Sequence, residues 1–230
     1  MRHVTTIAIV LSRTNFSEAD RILTVITPDN GKVRLLARGV RKVKSKLAGG
    51  IELFGVNDIS FIEGRGEVKT LTSSRLQNHY KNIVKDVNRT MFGYEILKLI
   101  NRATEDEVGK EYFELLDIAL GAIDDEKVEL DLIRLWFYLQ LLKLGGHSPN
   151  LKTDSAGNKL EEKQKYTFEQ EKMAFLSVSG GRYNSDHIKL IRLGMGLKSP
   201  ISLKNVNDSN KVANDCLQLV KSMLEQYVRI

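Results

Sequence analysis

The sequence predicts an α+β protein: a five-stranded β-barrel over residues 1–80, then an all-α domain over residues 81–230 with a polar excursion near 147–180. Two observations carry this. Apolar residues recur with period two through the first 80 positions and with period 3.6 after them. Turn-forming clusters then divide the first part into five segments of strand length.

Thr5, Ile7, Ile9 and Leu11 alternate through the first segment. Ile22 to Thr27 is a β-branched second segment, stopped by Pro28. Asp29-Asn30-Gly31 follows, and Asn-Gly between strands predicts a two-residue hairpin, because both central residues of a type I′ turn need positive φ. In the third segment, Lys32 to Arg38, Val33, Leu35 and Ala37 share one face, with Arg34, Leu36 and Arg38 on the other. Gly39 ends it. Ile51 to Ile62 is a fourth strand region, Gly64-Arg65-Gly66 a turn, and Glu67 to Leu76 a fifth strand with Val68, Thr70 and Thr72 alternating. Five strands, with a loop or short helix between the third and fourth, are the pattern of an OB-fold. An SH3-like barrel fits the strand count nearly as well.

The helical part starts with an apolar stripe through Phe92, Ile96, Leu99 and Ile100. Glu111 to Ile123 repeats the pattern through Phe113, Leu116, Ala119, Leu120 and Ile123. Lys127 to Leu144 is apolar nearly all round, which predicts the central buried helix, ended by Gly145-Gly146. Residues 147–170 read as an exposed excursion holding a small hairpin. Residues 184–196 form a short helix capped by Asn184 or Ser185, and Ser209 to Val228 a final amphipathic one.

No apolar run approaches the roughly 18–20 residues of a membrane span. The N-terminus lacks the small-residue cleavage site of a signal peptide. Cys216 is the one cysteine, which excludes an internal disulfide and a cysteine-based zinc site. Together these read as a cytoplasmic protein. The net charge of +6 is concentrated: residues 1–80 hold 13 Lys+Arg and 7 Asp+Glu, whereas residues 81–230 hold 22 of each. Such asymmetry points the barrel toward a polyanion.

Residues 32–46 contain Lys32, Arg34, Arg38, Arg41, Lys42, Lys44 and Lys46 and no acid. Seven like charges in fifteen residues repel one another and belong on the surface, where phosphates are the natural counter-charge. Arg65 joins them from a neighbouring hairpin. Aromatics for base stacking are sparse. Phe54 and Phe61 read as core, whereas Phe16, in a polar turn, is the stacking candidate. His3, His79, His147 and His187 share no metal-ligand spacing. Asp124-Asp125-Glu126 reads as a helix start rather than a magnesium site. No phosphate loop, nucleophile elbow or GxGxxG is present, so no enzyme and no cofactor are expected. Charge alone leaves DNA-binding and an RNA-binding accessory module both open.

Several strings resemble the bacterial recombination mediator family RecO: Glu18-Ala19-Asp20-Arg21-Ile22-Leu23, Gly31-Lys32, and above all Ala37-Arg38-Gly39-Val40-Arg41 with Lys44-Ser45-Lys46-Leu47-Ala48-Gly49. In the helical part the likeness rests on Gly145-Gly146-His147-Ser148-Pro149-Asn150-Leu151. Many members follow that turn with two CxxC pairs that hold zinc; the stretch from Asp154 to Ser179 has no cysteine. The resemblance implies a bacterial, nucleoid-associated DNA repair and recombination factor. It implies binding of single- and double-stranded DNA, strand annealing, and work with RecR to load recombinase on strands coated by single-strand-binding protein (SSB). It also implies capture of the acidic C-terminal tail of SSB, for which Arg102, Arg134 and Lys143 are the candidates on helical segments.

Overall fold

The computed structural model describes residues 2–64, 66–104, 110–205 and 209–227. It contains seven strands and five α-helices among those residues. The first five strands are β1 (Arg2–Asn15), β2 (Arg21–Thr27), β3 (Gly31–Ala37), β4 (Gly55–Glu63) and β5 (Val68–His79). They close into a barrel in the order β1-β2-β3-β5-β4, with β4 returning to β1. Every neighbouring pair is antiparallel except β3 and β5, which are parallel through Arg34–Val68 and Leu36–Thr70.

The alternation read from the sequence is the alternation of burial. Val33, Leu35 and Ala37 lie inside the barrel, while Lys32 and Leu36 are half-buried and Arg34 is exposed. The interior is filled by Val4, Ala8, Val10, Leu23, Val25, Ile59, Phe61 and Leu71, and Val40 and Ile51 from the β3–β4 connection join the same cluster. Phe54 and Phe61 are both buried, as the core reading expects.

The β2–β3 hairpin differs from the expected type I′ turn. Thr27 pairs with Gly31, so Pro28, Asp29 and Asn30 form a three-residue loop, and the one positive φ, 58°, falls at Gly31, the first residue of β3. A type I′ turn needs two consecutive residues at positive φ, and here Gly31 alone takes one. Pro28 supplies the fixed φ that starts such a loop. The Thr27 hydroxyl holds it, accepting from the Asn30 N–H (3.0 Å) and donating to the Gly31 carbonyl (3.1 Å). The fourth strand begins at Gly55 rather than near Ile51, because Phe54 turns the chain at φ 59°.

Two compact units divide at Asp125/Glu126. The first adds α1 (Val87–Ala103) and α2 (Lys110–Asp124) to the barrel. Asp124 ends α2 rather than starting the next helix. Its carboxylate accepts from the N–H groups of Asn82 (2.6 Å) and Ile83 (3.3 Å) at the start of a single 3-10 turn. It is a brace between two segments, which a charge run in sequence does not reveal.

The second unit packs α3 (Leu130–Leu144), α4 (Ser185–Gly196) and α5 (Ser209–Tyr227). Helix α3 is buried on nearly every side, and its Trp136 donates to the Leu197 carbonyl at 2.9 Å. The α4 cap is Asn184, in a reciprocal arrangement with His187. Cys216 is core, and burial pushes its thiol up to about 12.

The small hairpin falls later than the 147–170 reading, as β6 (Tyr166–Glu169) and β7 (Ala174–Ser177). An aromatic cluster organises it. Phe175 meets Tyr166, Phe168 and Tyr183 edge-on, with ring centroids 5.1–6.2 Å apart. The preceding loop is folded around a carboxylate. Asp154 accepts from the N–H groups of Ala156 (3.0 Å) and Asn158 (2.8 Å), and the Ser155 N–H ties the loop to the Phe175 carbonyl at 2.7 Å. These bonds, led by that from the Asn158 backbone, hold the Asp154 carboxyl below the usual carboxylate range. Backbone amides gathered on one side chain and packed aromatics thus hold this cysteine-free stretch.

Candidate nucleic-acid interface

The cationic segment leaves β3 at Ala37 and re-enters regular structure in a 3-10 turn at Ala48–Gly50. Between them the chain forms an arch with two apolar feet. Val40 is buried in the barrel core, and Leu47 packs against the same core. Arg38, Arg41, Lys42, Lys44 and Lys46 stand exposed around these feet, and Arg34 is exposed on the strand before them. Charge repulsion keeps such groups in water, while the feet fix where they stand.

Internal hydrogen bonds hold the arch as consecutive turns. The N–H of Lys42 donates to the Gly39 carbonyl (3.1 Å) and that of Ser45 to the Lys42 carbonyl (3.0 Å). Gly39 permits the first bend, at φ 64°, a region that side-chain-bearing residues seldom occupy.

The β1–β2 turn braces the arch from outside. The Asp20 carboxylate accepts from the Gly39 N–H at 2.7 Å. The Arg41 N–H donates to the Ala19 carbonyl (3.0 Å), and its guanidinium to the Ser17 carbonyl (3.0 Å). The same turn carries Phe16, 62% exposed, with its N–H on the Asp20 carbonyl (3.1 Å). Phe16 and the cations therefore belong to one assembly of two loops. At the far end, the Ser74 hydroxyl of β5 donates to the Gly50 carbonyl, which ties the end of the arch to the barrel wall.

Lys32 is placed differently from its neighbours. Half-buried, its ammonium donates to the carbonyls of Asn101 (3.0 Å) and Thr104 at the C-terminal end of α1. A cation at that end satisfies free carbonyls and meets the negative pole of the helix. Arg34 stands 3.9 Å from Glu67, a loose exposed pair. Arg65 lies outside the described residues.

The three helical candidates do not form one group. Arg102 is exposed in the last turn of α1, in the first unit, whereas Arg134 and Lys143 are on α3 in the second. Their nine-residue spacing is about two and a half turns, so they leave α3 on opposite sides. Arg134 pairs with Asp131 at 3.5 Å, and Lys143 donates to the Met195 carbonyl at 3.1 Å.

Sequence reasoning missed Asp20 as the brace of the arch. Asp20 reads as ordinary surface acid, and its role depends on two loops meeting across nineteen residues. Among the described residues, no three His, Cys, Asp or Glu side chains come together as a metal site, and no helix is long and apolar enough to cross a membrane.

Comparison with known proteins matches residues 1–80 to the family model described as "Recombination protein O N terminal" and residues 84–230 to "Recombination protein O C terminal". Curated relatives named DNA repair protein RecO include that of Desulfatibacillum aliphaticivorans, 34% identical over 154 residues, 66% of this chain and 60% of the relative. That of Dehalococcoides mccartyi (strain ATCC BAA-2266 / KCTC 15142 / 195) is 32% identical over 146 residues, 63% of this chain and 57% of the relative. That of Alkaliphilus metalliredigens is 25% identical over 224 residues, 96% of this chain and 90% of the relative. The chain thus spans somewhat over half the length of the first two relatives and nearly all of the third.

Proposed function

This chain belongs to the RecO family, and from that premise we propose that it is a non-enzymatic, DNA-binding recombination mediator and strand-annealing factor of DNA repair. We read the closed barrel of residues 1–80 as an OB-fold nucleic-acid-binding domain, and residues 81–230 as the helical domain. The observation that carries the proposal is the braced arch. Arg34, Arg38, Arg41, Lys42, Lys44 and Lys46 are exposed along one short stretch at one end of the barrel.

Such a surface binds the phosphate backbone. Each neutralised phosphate releases counterions and adds affinity that does not depend on sequence. An annealing factor needs that property: it must hold two strands of any sequence and leave their base edges free to pair. Screening the repulsion between strands then lets complementary stretches find each other. Lys32 is half-buried on the α1 carbonyls, so the proposed phosphate contacts are the other six cations, Arg41 being exposed with donors beyond the one it gives Ser17, with Arg65 as a further expectation and Phe16 as the stacking side chain. A cytoplasmic, nucleoid-associated location follows from a DNA partner.

The partners proposed on the family's account are RecR and the acidic C-terminal tail of SSB. Arg102, Arg134 and Lys143 are offered for the tail as separate contacts, since the helix geometry separates the latter two. Arg134 is half-buried and already paired with Asp131, so the tail would meet it only at its exposed part.

The test is annealing of complementary oligonucleotides coated with SSB, with and without RecR. The proposal predicts acceleration that is lost when SSB lacks its C-terminal tail. No acceleration on coated or bare strands would sink it.

A further inference from the structure

Between buried Val40 and half-buried Leu47 the arch holds Arg41, Lys42, Val43, Lys44, Ser45 and Lys46, all exposed except Ser45, which is half-buried with its hydroxyl accepting from the Leu47 N–H at 3.3 Å. Five are charged or polar. Val43 is apolar, and its relative exposure of 104% means that the fold buries none of it. Nothing in the fold requires valine there. The bends are made by Gly39 and by the Ser45 N–H bond to the Lys42 carbonyl, neither of which uses that side chain. A β-branched side chain is stiff at χ1, so it projects as a fixed knob rather than folding back on the chain. The second large apolar group in this assembly, Phe16, is also held away from the core. It precedes Ser17, whose carbonyl takes the Arg41 guanidinium, and Val43 follows Arg41 by two residues. Phe16 and Val43 thus lie on the two loops that these Arg41 hydrogen bonds join, among exposed cations.

We infer that Val43 and Phe16 form an apolar wedge that takes up unpaired bases, and that the arch therefore prefers single strands and strand ends to intact duplex. This inference rests on the arch being a DNA site. Cations alone attract both forms of DNA, since both carry phosphates. Apolar side chains discriminate. A single strand offers base faces at no cost, whereas a duplex offers them only after a step is unstacked. On duplex the unstacking cost offsets the apolar contact, and only the electrostatic part of binding remains. For an annealing site this has a consequence. Once strands have paired, the wedge loses its ligand, and the product is released in favour of the next unpaired segment.

The test compares full-length wild type with Val43→Ser, Phe16→Ala and the double variant. The probes are a single-stranded oligonucleotide carrying 2-aminopurine and the same sequence as duplex. Binding is measured across a salt series, so that slope and intercept separate. The inference predicts that wild type raises 2-aminopurine fluorescence on the single strand. Val43→Ser should weaken single-strand binding about 3- to 10-fold and Phe16→Ala about 5- to 100-fold. Salt slopes should be unchanged, and duplex affinity should change less than about twofold. Val43→Leu, which keeps an apolar knob, should bind as wild type. Equal losses on single strand and duplex, or no loss on either, would overturn the wedge while leaving the cationic site standing. A wild-type chain that binds neither form would overturn the wedge and the proposed DNA site together.

Discussion

Replacing Asp20 sets two effects against each other, and general electrostatics gives the rough size of each. Asp20 carries a negative charge into a cationic site, yet its carboxylate fixes the arch by accepting from the Gly39 N–H at 2.7 Å. Removing the charge should favour DNA. A carboxylate and a phosphate about 6 Å apart in water repel by about 0.7 kcal/mol, roughly a threefold effect at low salt. Removing the acceptor should loosen the arch. A hydrogen bond to a charged group is worth about 1.5–3 kcal/mol. Gly39 is only half-buried, so water replaces part of the loss, and a figure near 1.5 kcal/mol applies. Asp20→Asn keeps an oxygen acceptor and loses the charge; Asp20→Ala loses both. The asparagine variant should bind single strands about threefold tighter than wild type at low salt. The alanine variant should bind more weakly than the asparagine variant. Trypsin provides an independent reading, because Arg38, Arg41, Lys42, Lys44 and Lys46 are all cleavage sites. Loss of about 1.4 kcal/mol from local opening raises the open population tenfold, so cleavage within residues 38–46 should accelerate about tenfold in Asp20→Ala and little in Asp20→Asn. Equal cleavage rates in all three chains, with equal affinities, would refute the brace.

Two further predictions concern the second unit. The Asp154 carboxyl lies below its usual range because backbone N–H groups favour its charged form, so its folded pKa is depressed. Its stabilisation is therefore complete above the unfolded value of about 3.9 and fades as pH falls through the folded one. The melting temperature of Asp154→Asn should fall short of wild type most at pH 7 and converge with it toward pH 3; a gap independent of pH would contradict the account. Trp136 is buried on α3 and donates to Leu197, so Trp136→Ala should cost about 3–5 kcal/mol, read by denaturant unfolding followed by circular dichroism. A loss below about 1 kcal/mol would mean that α3 is not the central helix of its unit.

The barrel was legible in the sequence because strand alternation is local. Val33, Leu35 and Ala37 face inward for the reason that they alternate with Arg34 and Leu36. Helices α2 and α5 declared themselves by the same logic at period 3.6, and α3 by having no polar side. The β2–β3 turn was legible as a hairpin but not in its type. A three-residue loop and a two-residue one share the same Asn-Gly, and Pro28 with the Thr27 hydroxyl decides between them. The cations of the arch were visible as composition. Their support was not, because Asp20–Gly39 and Ser74–Gly50 join segments 19 and 24 residues apart. Lys32 could not be separated from its basic neighbours by sequence, since its partners are main-chain carbonyls about 70 residues away. Asp154 and Asp124 illustrate the same limit. Each is an acid in a polar run until the backbone N–H groups it collects are seen.

The central claim is that the exposed arch binds DNA by charge, and the salt dependence of single-strand affinity tests it most directly. The measurement compares wild type with a chain carrying alanine at Arg41, Lys42, Lys44 and Lys46, using oligonucleotides of unrelated sequence. Each phosphate neutralised on a single strand contributes about −0.7 to the slope of log K against log salt. Loss of two to four contacts should flatten that slope by about 1.4 to 2.8 units, alike for every sequence, while the fold survives because exposed charges contribute little to stability. A folded four-alanine chain that keeps both its affinity and its slope would place the DNA site elsewhere on the protein.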